Sequence, residues 1–146
     1  MSTVKNCLDQ KPPNTLVQVS PEDKVVTALE LMRDKRVRAV LVFDAGLLAG
    51  IITQGDCAIK VLLPGLDAKH TLVKDVMTAN PMTVKLSDPL EACMGLMAQR
   101  NFRHLPVKEG SQVVGVISIG DVVKDNIRQL GNQINFLETY IKGHGA

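Results

Sequence analysis

The sequence predicts a mixed α/β (α+β) protein built from two β-α-β-β-α repeats that pack sheet to sheet with pseudo-twofold symmetry. A nine-residue stretch occurs twice, at 48–56 and at 113–121. Its Gly, Thr or Ser, and Asp residues match at one offset (121 − 56 = 65). The 146 residues are 45% hydrophobic and include no Trp, so we expect two small halves that share one aliphatic core.

Hydrophobic periodicity and turn residues define the elements of the first half. Apolar residues recur at helical spacing from Val25 to Met32, after a Ser-Pro-Glu-Asp helix start. The run from Arg38 to Phe43 contains β-branched residues and favours a buried strand. In chain order we predict a helical lead-in at 3–8, a break at 11–14, a strand at 16–19, a helix capped by Asp23 that ends near Lys35, strands at 38–43 and 48–53 around a turn at 44–46, and a helix at 56–63.

The second half repeats this order of elements. We predict a lead-in at 72–77, a strand at 82–84, a helix opened by Asp88, strands at 103–107 and 113–118 around a turn at 109–111, and a final helix from Asp121. The chain then divides into a first repeat with its lead-in at 1–63, a linker with a short helix at 64–80, and a second repeat with an extended C-terminal helix at 81–146. This pseudo-symmetry predicts two equivalent clefts, each edged by one Thr/Ser-x-x-Asp turn.

The bulk composition disfavours several classes of protein. A formal net charge of +2, with both signs mixed along the chain, disfavours a nucleic-acid binder. No apolar run approaches the roughly 18 residues of a membrane span, and residues 1–11 lack the apolar core of a signal peptide. Cys7, Cys57 and Cys93 are odd in number and include no close pair, which predicts free thiols in a reducing cytoplasm and no metal site.

Polar residues recur where a strand passes into a helix in each repeat. A carboxylate can accept two hydrogen bonds from a ribose diol, a guanidinium pairs with phosphate, and helix N-terminal amides favour anions. Together with an apolar slot between sheets, these groups predict a nucleotide site. The recurring residues are Thr53 and Asp56, Ser118 and Asp121, and Arg38 and Arg103, with His104 and Lys60 as further donors.

Each of these residues also has an ordinary structural role that the sequence leaves open. Asp121 is in the position of a simple helix N-cap, although the recurrence of Thr or Ser three residues earlier disfavours that role alone. Arg38 can lie on a solvated face beside Arg33, Lys35 and Arg36. A histidine at position 104 is more often packed or solvent-facing than a ligand contact.

The repeated pattern resembles the CBS domain, and the chain resembles a small stand-alone bacterial protein with a tandem CBS pair, or Bateman module. The resemblance is carried by the apolar-Gly-apolar-apolar-Thr/Ser-x-x-Asp stretches, by helices that end near Met32 and Met97, and by the Arg-His-Leu-Pro-Val run at 103–107. It covers nearly the whole chain. The first repeat departs from it with Leu41 where the second has the family's usual Pro106.

The resemblance implies a non-enzymatic adenine-nucleotide sensor for AMP, ATP, NAD or S-adenosylmethionine that acts through a homodimer, with no covalent cofactor and no metal. It implies that Asp56 and Asp121 hold ribose, that Thr53 and Ser118 lie nearby, and that basic residues contact phosphate. The base pocket then maps to Val19, Ile51, Thr78, Thr83, Val84 and Ile117. Two alternatives remain: an interaction protein with vestigial pockets, and a nucleotide-hydrolysing enzyme with His104 as its acid or base.

Overall fold

A computed structural model of the chain describes residues 2–12 and 16–144. Pro13 and Asn14, part of the predicted break, lie outside the described residues. The elements in chain order are α1 (Val4–Asp9), β1 (Gln18–Val19), α2 (Val25–Lys35), β2 (Ala39–Asp44), β3 (Leu47–Thr53), α3 (Gln54–Cys57) continued by a π-helical turn (Ala58–Leu62), a 3-10 turn (Val73–Asp75), β4 (Thr78–Ala79), β5 (Val84–Lys85), α4 (Leu90–Arg100), β6 (His104–Glu109), β7 (Gln112–Ser118) and α5 (Ile119–His144).

The strands form two sheets with the same local topology. In the first, β1 pairs parallel with β2, which forms an antiparallel hairpin with β3. In the second, β5, β6 and β7 repeat this arrangement. The predicted β-α-β-β-α repeat is therefore confirmed. β4 adds a fourth strand to the first sheet, which the sequence did not predict. It can approach closely because Gly50 has no side chain: a Cβ there would lie 2.7 Å from the Thr78 carbonyl oxygen.

The buried residues form two clusters, one for each half, and not the single shared core that we expected. The first cluster includes Val25, Val40 and Ile52, and the second includes Leu105 and Ile117. Each cluster lies between one small sheet and the helices that cover it.

The two lead-ins are exchanged between the halves. The first lead-in, α1, packs on the second repeat: Val4 N–H donates to the Asp88 carbonyl at 2.9 Å, and Val4 belongs to the second cluster. The second lead-in packs on the first repeat: Val73 N–H donates to the Asp23 carbonyl at 2.8 Å, and Val73 belongs to the first cluster. The division at 1–63 and 81–146 therefore follows the sequence repeat but not the packing.

The predicted N-caps Asp23 and Asp88 are wrong in both halves, and for the same reason. The Asp23 carboxylate accepts a hydrogen bond from Ser20 N–H at 2.8 Å, and Asp88 accepts one from Lys85 N–H at 2.9 Å. Both carboxylates therefore stabilise the turn that precedes the helix. α2 and α4 begin after Lys24 and Pro89 without a side-chain cap.

The final helix, α5, is 26 residues long and leaves apolar side chains exposed along its length. Within residues 2–12 and 16–144, no helix is long and apolar enough to span a membrane.

Candidate functional site

A cavity of about 580 Å³ lies between the two halves. This volume is in the range of pockets that bind nucleotide-sized ligands. Its wall is formed by the β3–α3 corner of the first repeat, the segment that leads into β5, and the segment between α4 and β6. The lining residues are Arg38, Ile51, Thr53, Gln54, Gly55, Asp56, Ile59, Lys60, Thr78, Pro81, Met82, Arg100, Asn101, Phe102, Arg103 and His104.

Positive charge dominates the cavity wall. Arg38 and Lys60 come from the first repeat, and Arg100 and Arg103 come from the second. The only carboxylate among the lining residues is Asp56. Four cations facing one anion favour a ligand with several negative charges, and guanidinium groups match the geometry of phosphate oxygens.

The Asp56 corner is held in place by a reciprocal capping box. Thr53 N–H donates to Asp56 Oδ2 at 3.0 Å, and Asp56 N–H donates to Thr53 Oγ1 at 3.0 Å. In this box Thr53 is the N-cap of α3 and Asp56 is the third residue of the helix, so Asp56 is not itself the N-cap. The second carboxylate oxygen, Asp56 Oδ1, lies 3.4 Å from Lys60 Nζ. Since Asp56 lines the cavity and a carboxylate accepts several hydrogen bonds, Asp56 can complete the capping box and still accept from a ligand.

The Asp121 corner has the same local geometry but a different environment. Ser118 N–H donates to Asp121 Oδ2 at 2.9 Å, and Asp121 N–H donates to Ser118 Oγ at 3.1 Å. Lys11 Nζ then donates to the same Oδ2 and to the Val116 carbonyl, both at 2.8 Å. Neither Ser118 nor Asp121 lines the cavity. The two corners therefore differ in their surroundings, because Lys11, which follows α1, contacts the carboxylate of Asp121.

Asp121 and His104 have shifted pKa values. Burial raises the pKa of Asp121, but hydrogen bonds from Lys11 and Ser118 outweigh it, so the pKa lies below its usual value. Burial lowers the pKa of His104; Asp121 opposes this shift, while Lys11, Arg38 and Arg103 add to it. His104 is therefore neutral at pH 7 and contributes a hydrogen-bonding ring to the cavity, not a charge.

The cavity brings together most of the residues that the sequence selected. They are Arg38, Ile51, Thr53, Asp56, Lys60, Thr78, Arg103 and His104. Ile117 is a correction: it is equivalent to Ile52 (117 − 65 = 52), and both face the buried clusters. The residue that matches Ile51 is Val116 (116 − 65 = 51), so our selection was one position out of register, which reverses the face of a strand.

Three further base-pocket residues lie elsewhere. Val19 pairs with Val42, and Val84 pairs with Val107; all four belong to the buried clusters. Thr83 is half-buried but does not line the cavity.

Sequence reasoning missed the contribution of the segment between α4 and β6. Arg100, Asn101 and Phe102 line the cavity beside Arg103. Asn101 ends α4 in the left-handed conformation, with φ of 59°. A signal was present, because Asn tolerates this conformation and commonly terminates helices. Among the described residues, no group of three or more His, Cys, Asp or Glu side chains is placed to hold a metal ion.

Comparison with known proteins identifies the family. The profile described as "CBS domain" matches residues 12–62 and 73–126. The chain belongs to the CBS-domain family. It carries two CBS domains in tandem, as the resemblance implied.

Individual CBS proteins resemble the whole chain. YhcV of Bacillus subtilis is 30% identical over 91% of this chain and 89% of its own length. A protein with CBS domains from Burkholderia ambifaria is 41% identical, with a TM-score of 0.84 over 87% of this chain and 95% of its own. The structure of CBSX2 in complex with AMP is 26% identical, with a TM-score of 0.71 over 86% of this chain and 97% of its own. The chain spans 20% and 62% of two curated relatives from Arabidopsis thaliana.

Proposed function

We propose that this tandem CBS module binds one adenine nucleotide per chain in the cavity at Asp56 and acts as a non-enzymatic regulatory sensor. The observation that carries this proposal is the convergence of Arg38, Lys60, Arg100 and Arg103, from both halves, around one carboxylate corner. A ligand that contacts both halves stabilises one arrangement of them, which is the physical requirement for a sensor.

The position of each part of the nucleotide follows from the wall. Asp56 Oδ1 accepts from the ribose hydroxyls, while Arg38 and Arg103 pair with phosphate oxygens. The base packs against Ile51 and Met82, two apolar residues of the lining. The complex of the related CBSX2 with AMP supports this class of ligand. AMP, ATP, NAD and S-adenosylmethionine all share the adenosine group that this arrangement recognises.

Occupancy of a single site follows from the difference between the corners. At the second corner, Lys11 Nζ lies 2.8 Å from Asp121 Oδ2 and neutralises the carboxylate that a ribose would need. The lysine contact at Asp56 is longer, 3.4 Å from Lys60 Nζ to Oδ1, and Asp56 lines the cavity whereas Asp121 does not.

Calorimetry of the protein with AMP, ATP, NAD and S-adenosylmethionine tests the proposal. We expect saturable binding of at least one of them at one site per chain. Asp56→Ala removes a charged hydrogen-bond acceptor and should weaken that binding about 10- to 100-fold. Asp121→Ala is the matched control, since it removes the same cap from the other corner, and it should change the affinity less than about threefold.

Two outcomes would contradict the proposal. The proposal fails if none of the four nucleotides binds ligand-free protein at a concentration of roughly 1 mM. A Kd of that size corresponds to a binding free energy of only about −4 kcal/mol. Equal weakening by the two Asp variants would instead place the ligand away from the Asp56 corner.

We further propose that the module is not an enzyme. The cavity wall contains no cysteine and only one carboxylate, and burial lowers the pKa of His104 although Asp121 opposes this shift. After prolonged incubation with the protein, ATP should remain intact; release of ADP or AMP in proportion to the amount of protein would contradict this.

Cys7, Cys57 and Cys93 are buried free thiols, which favours a reducing compartment, and we place the protein in the cytoplasm.

A further inference from the structure

An exposed apolar stripe runs along α5. Its six side chains, each between 49% and 65% exposed, are Val123, Ile127, Leu130, Ile134, Leu137 and Ile141. They are spaced alternately by four and three residues, which is the spacing of the a and d positions of a heptad repeat. The stripe spans 19 residues, from 123 to 141, and the 18 rises between its ends make it about 27 Å long. A helix face of this kind buries its side chains against a partner.

The opposite face of α5 is buried only near the start of the helix, where it holds the helix on the body of the protein. Val122 and Asp125 are buried, and Asp125 is paired with Arg128 at 3.2 Å. In the heptad that the stripe defines, Asp125 occupies position f, which points directly away from a and d. The stripe therefore faces outward while the helix remains anchored through its other side.

We propose that two copies of this chain pair through α5 as a parallel two-stranded coiled coil along this stripe. The a positions are Ile127, Ile134 and Ile141, and Leu130 and Leu137 occupy d. β-branched Ile at a with Leu at d favours parallel dimers over higher oligomers. The inference specifies the surface of the homodimer that the family resemblance implied, and it does not depend on nucleotide binding.

The residues beside the stripe fit a second copy. In a parallel pair, each g residue faces the e residue of the next heptad on the partner helix. These pairs are Asn126 with Gly131 and Gln133 with Glu138, so no like charges meet. A membrane surface fits less well, because α5 carries three basic residues (Lys124, Arg128 and Lys142) and three acidic ones (Asp121, Asp125 and Glu138), whereas interfacial helices are rich in basic residues.

Light scattering of the wild type and two variants tests whether the stripe on α5 is the dimer surface. The wild type should have the mass of two chains by light scattering, and Ile134→Glu should have the mass of one, because it places two carboxylates at the centre of the stripe. Phe136→Glu is the matched control: Phe136 is 71% exposed but lies at position c, off the stripe, so this variant should remain dimeric. A monomeric wild type, a dimeric Ile134→Glu or a monomeric Phe136→Glu would overturn the proposal.

Disulfide cross-linking tests the orientation. In a parallel pair, the thiol of Leu137→Cys meets its own copy and should cross-link rapidly. In an antiparallel pair it would meet position 127, so Leu137→Cys would cross-link with Ile127→Cys and not with itself, which would overturn the parallel arrangement. The natural cysteines do not interfere, since all three are buried. Ile134→Glu should still unfold in one cooperative urea transition, which shows that the body is folded. This control needs no nucleotide and so separates the test from that of the proposed function.

Discussion

Replacing Lys11 by Met tests the difference between the two corners most directly. Lys11 Nζ donates to Asp121 Oδ2 and to the Val116 carbonyl, each at 2.8 Å. Met keeps most of the aliphatic length of the side chain but removes the charge and both hydrogen bonds. Asp121 would keep only its capping interactions with Ser118.

The expected loss lies between two limits. Hydrogen bonds to charged groups contribute about 1.5–3 kcal/mol, and fully exposed ion pairs contribute about 0–1 kcal/mol. The Asp121 side chain is 16% exposed and that of Lys11 is 34% exposed, so solvent screens this pair in part. We therefore expect Lys11→Met to lower the free energy of unfolding by about 1–2 kcal/mol, or the Tm by about 3–6 °C.

Urea denaturation at pH 7 measures this loss, with Lys5→Met as the control. Lys5 pairs with Asp9 at 2.9 Å, but the two side chains are 62% and 58% exposed, so the control should lose less than about 0.5 kcal/mol. Equal losses in the two variants would refute the reasoning. So would additivity with Asp121→Asn in a double-mutant cycle, since residues in direct contact should not act independently.

The same pair predicts a dependence on pH. The pKa of Asp121 is lowered in the folded state, so its contribution to stability is complete above the unfolded pKa of about 3.9. It is lost as the pH falls through the lower, folded value. The difference between the wild type and Lys11→Met should therefore shrink below about pH 4, and a difference that grows on acidification would contradict the assignment.

Three other outcomes follow from the structure. Gly50→Ala should destabilise the protein by about 1–3 kcal/mol in urea, because its Cβ would lie 2.7 Å from a β4 carbonyl oxygen, whereas Gly95→Ala in open space on α4 should stabilise it by about 0.5–1 kcal/mol. Because the folded pKa of His104 is lowered, the protein should lose stability as the pH falls from 6.5 through that value, and His104→Gln should lose less. Burial raises the pKa values of Cys7 and Cys57 to about 11, so a thiol reagent should modify them at pH 8 only after denaturant is added.

Local patterns in the sequence predicted most of the fold. The hairpin turn illustrates why: Ala45 and Gly46 both have positive φ, 50° and 80°, as the short turn between β2 and β3 requires. The errors at Asp23 and Asp88 arose because a carboxylate just before a helix can stabilise either the helix or the preceding turn. Sequence alone does not decide between these, since the choice depends on backbone directions set by the lead-in that packs across the turn.

The candidate site was predictable to the extent that it is local. The corner of Thr53 and Asp56 follows from one repeated motif, and Arg103 follows from the 65-residue offset. What the repeat could not supply was the asymmetry between the clefts. Lys11 lies 110 positions before Asp121 and has no counterpart at the first corner, where Lys60 comes from the adjacent helix.

Because each lead-in packs on the opposite half, neither half can be separated from the other without losing part of its hydrophobic cluster. A fragment of residues 12–62 would lack Val73 and Val76, whose side chains belong to the first hydrophobic cluster. A fragment of residues 73–126 would lack Val4 and Cys7, which belong to the second cluster. Neither fragment closes its own hydrophobic interior, so the two halves must melt in a single transition. A circular permutant that opens the loop at 64–70 and joins the original ends would keep every one of these contacts, whereas two separately expressed halves divided at that loop could recover them only by associating.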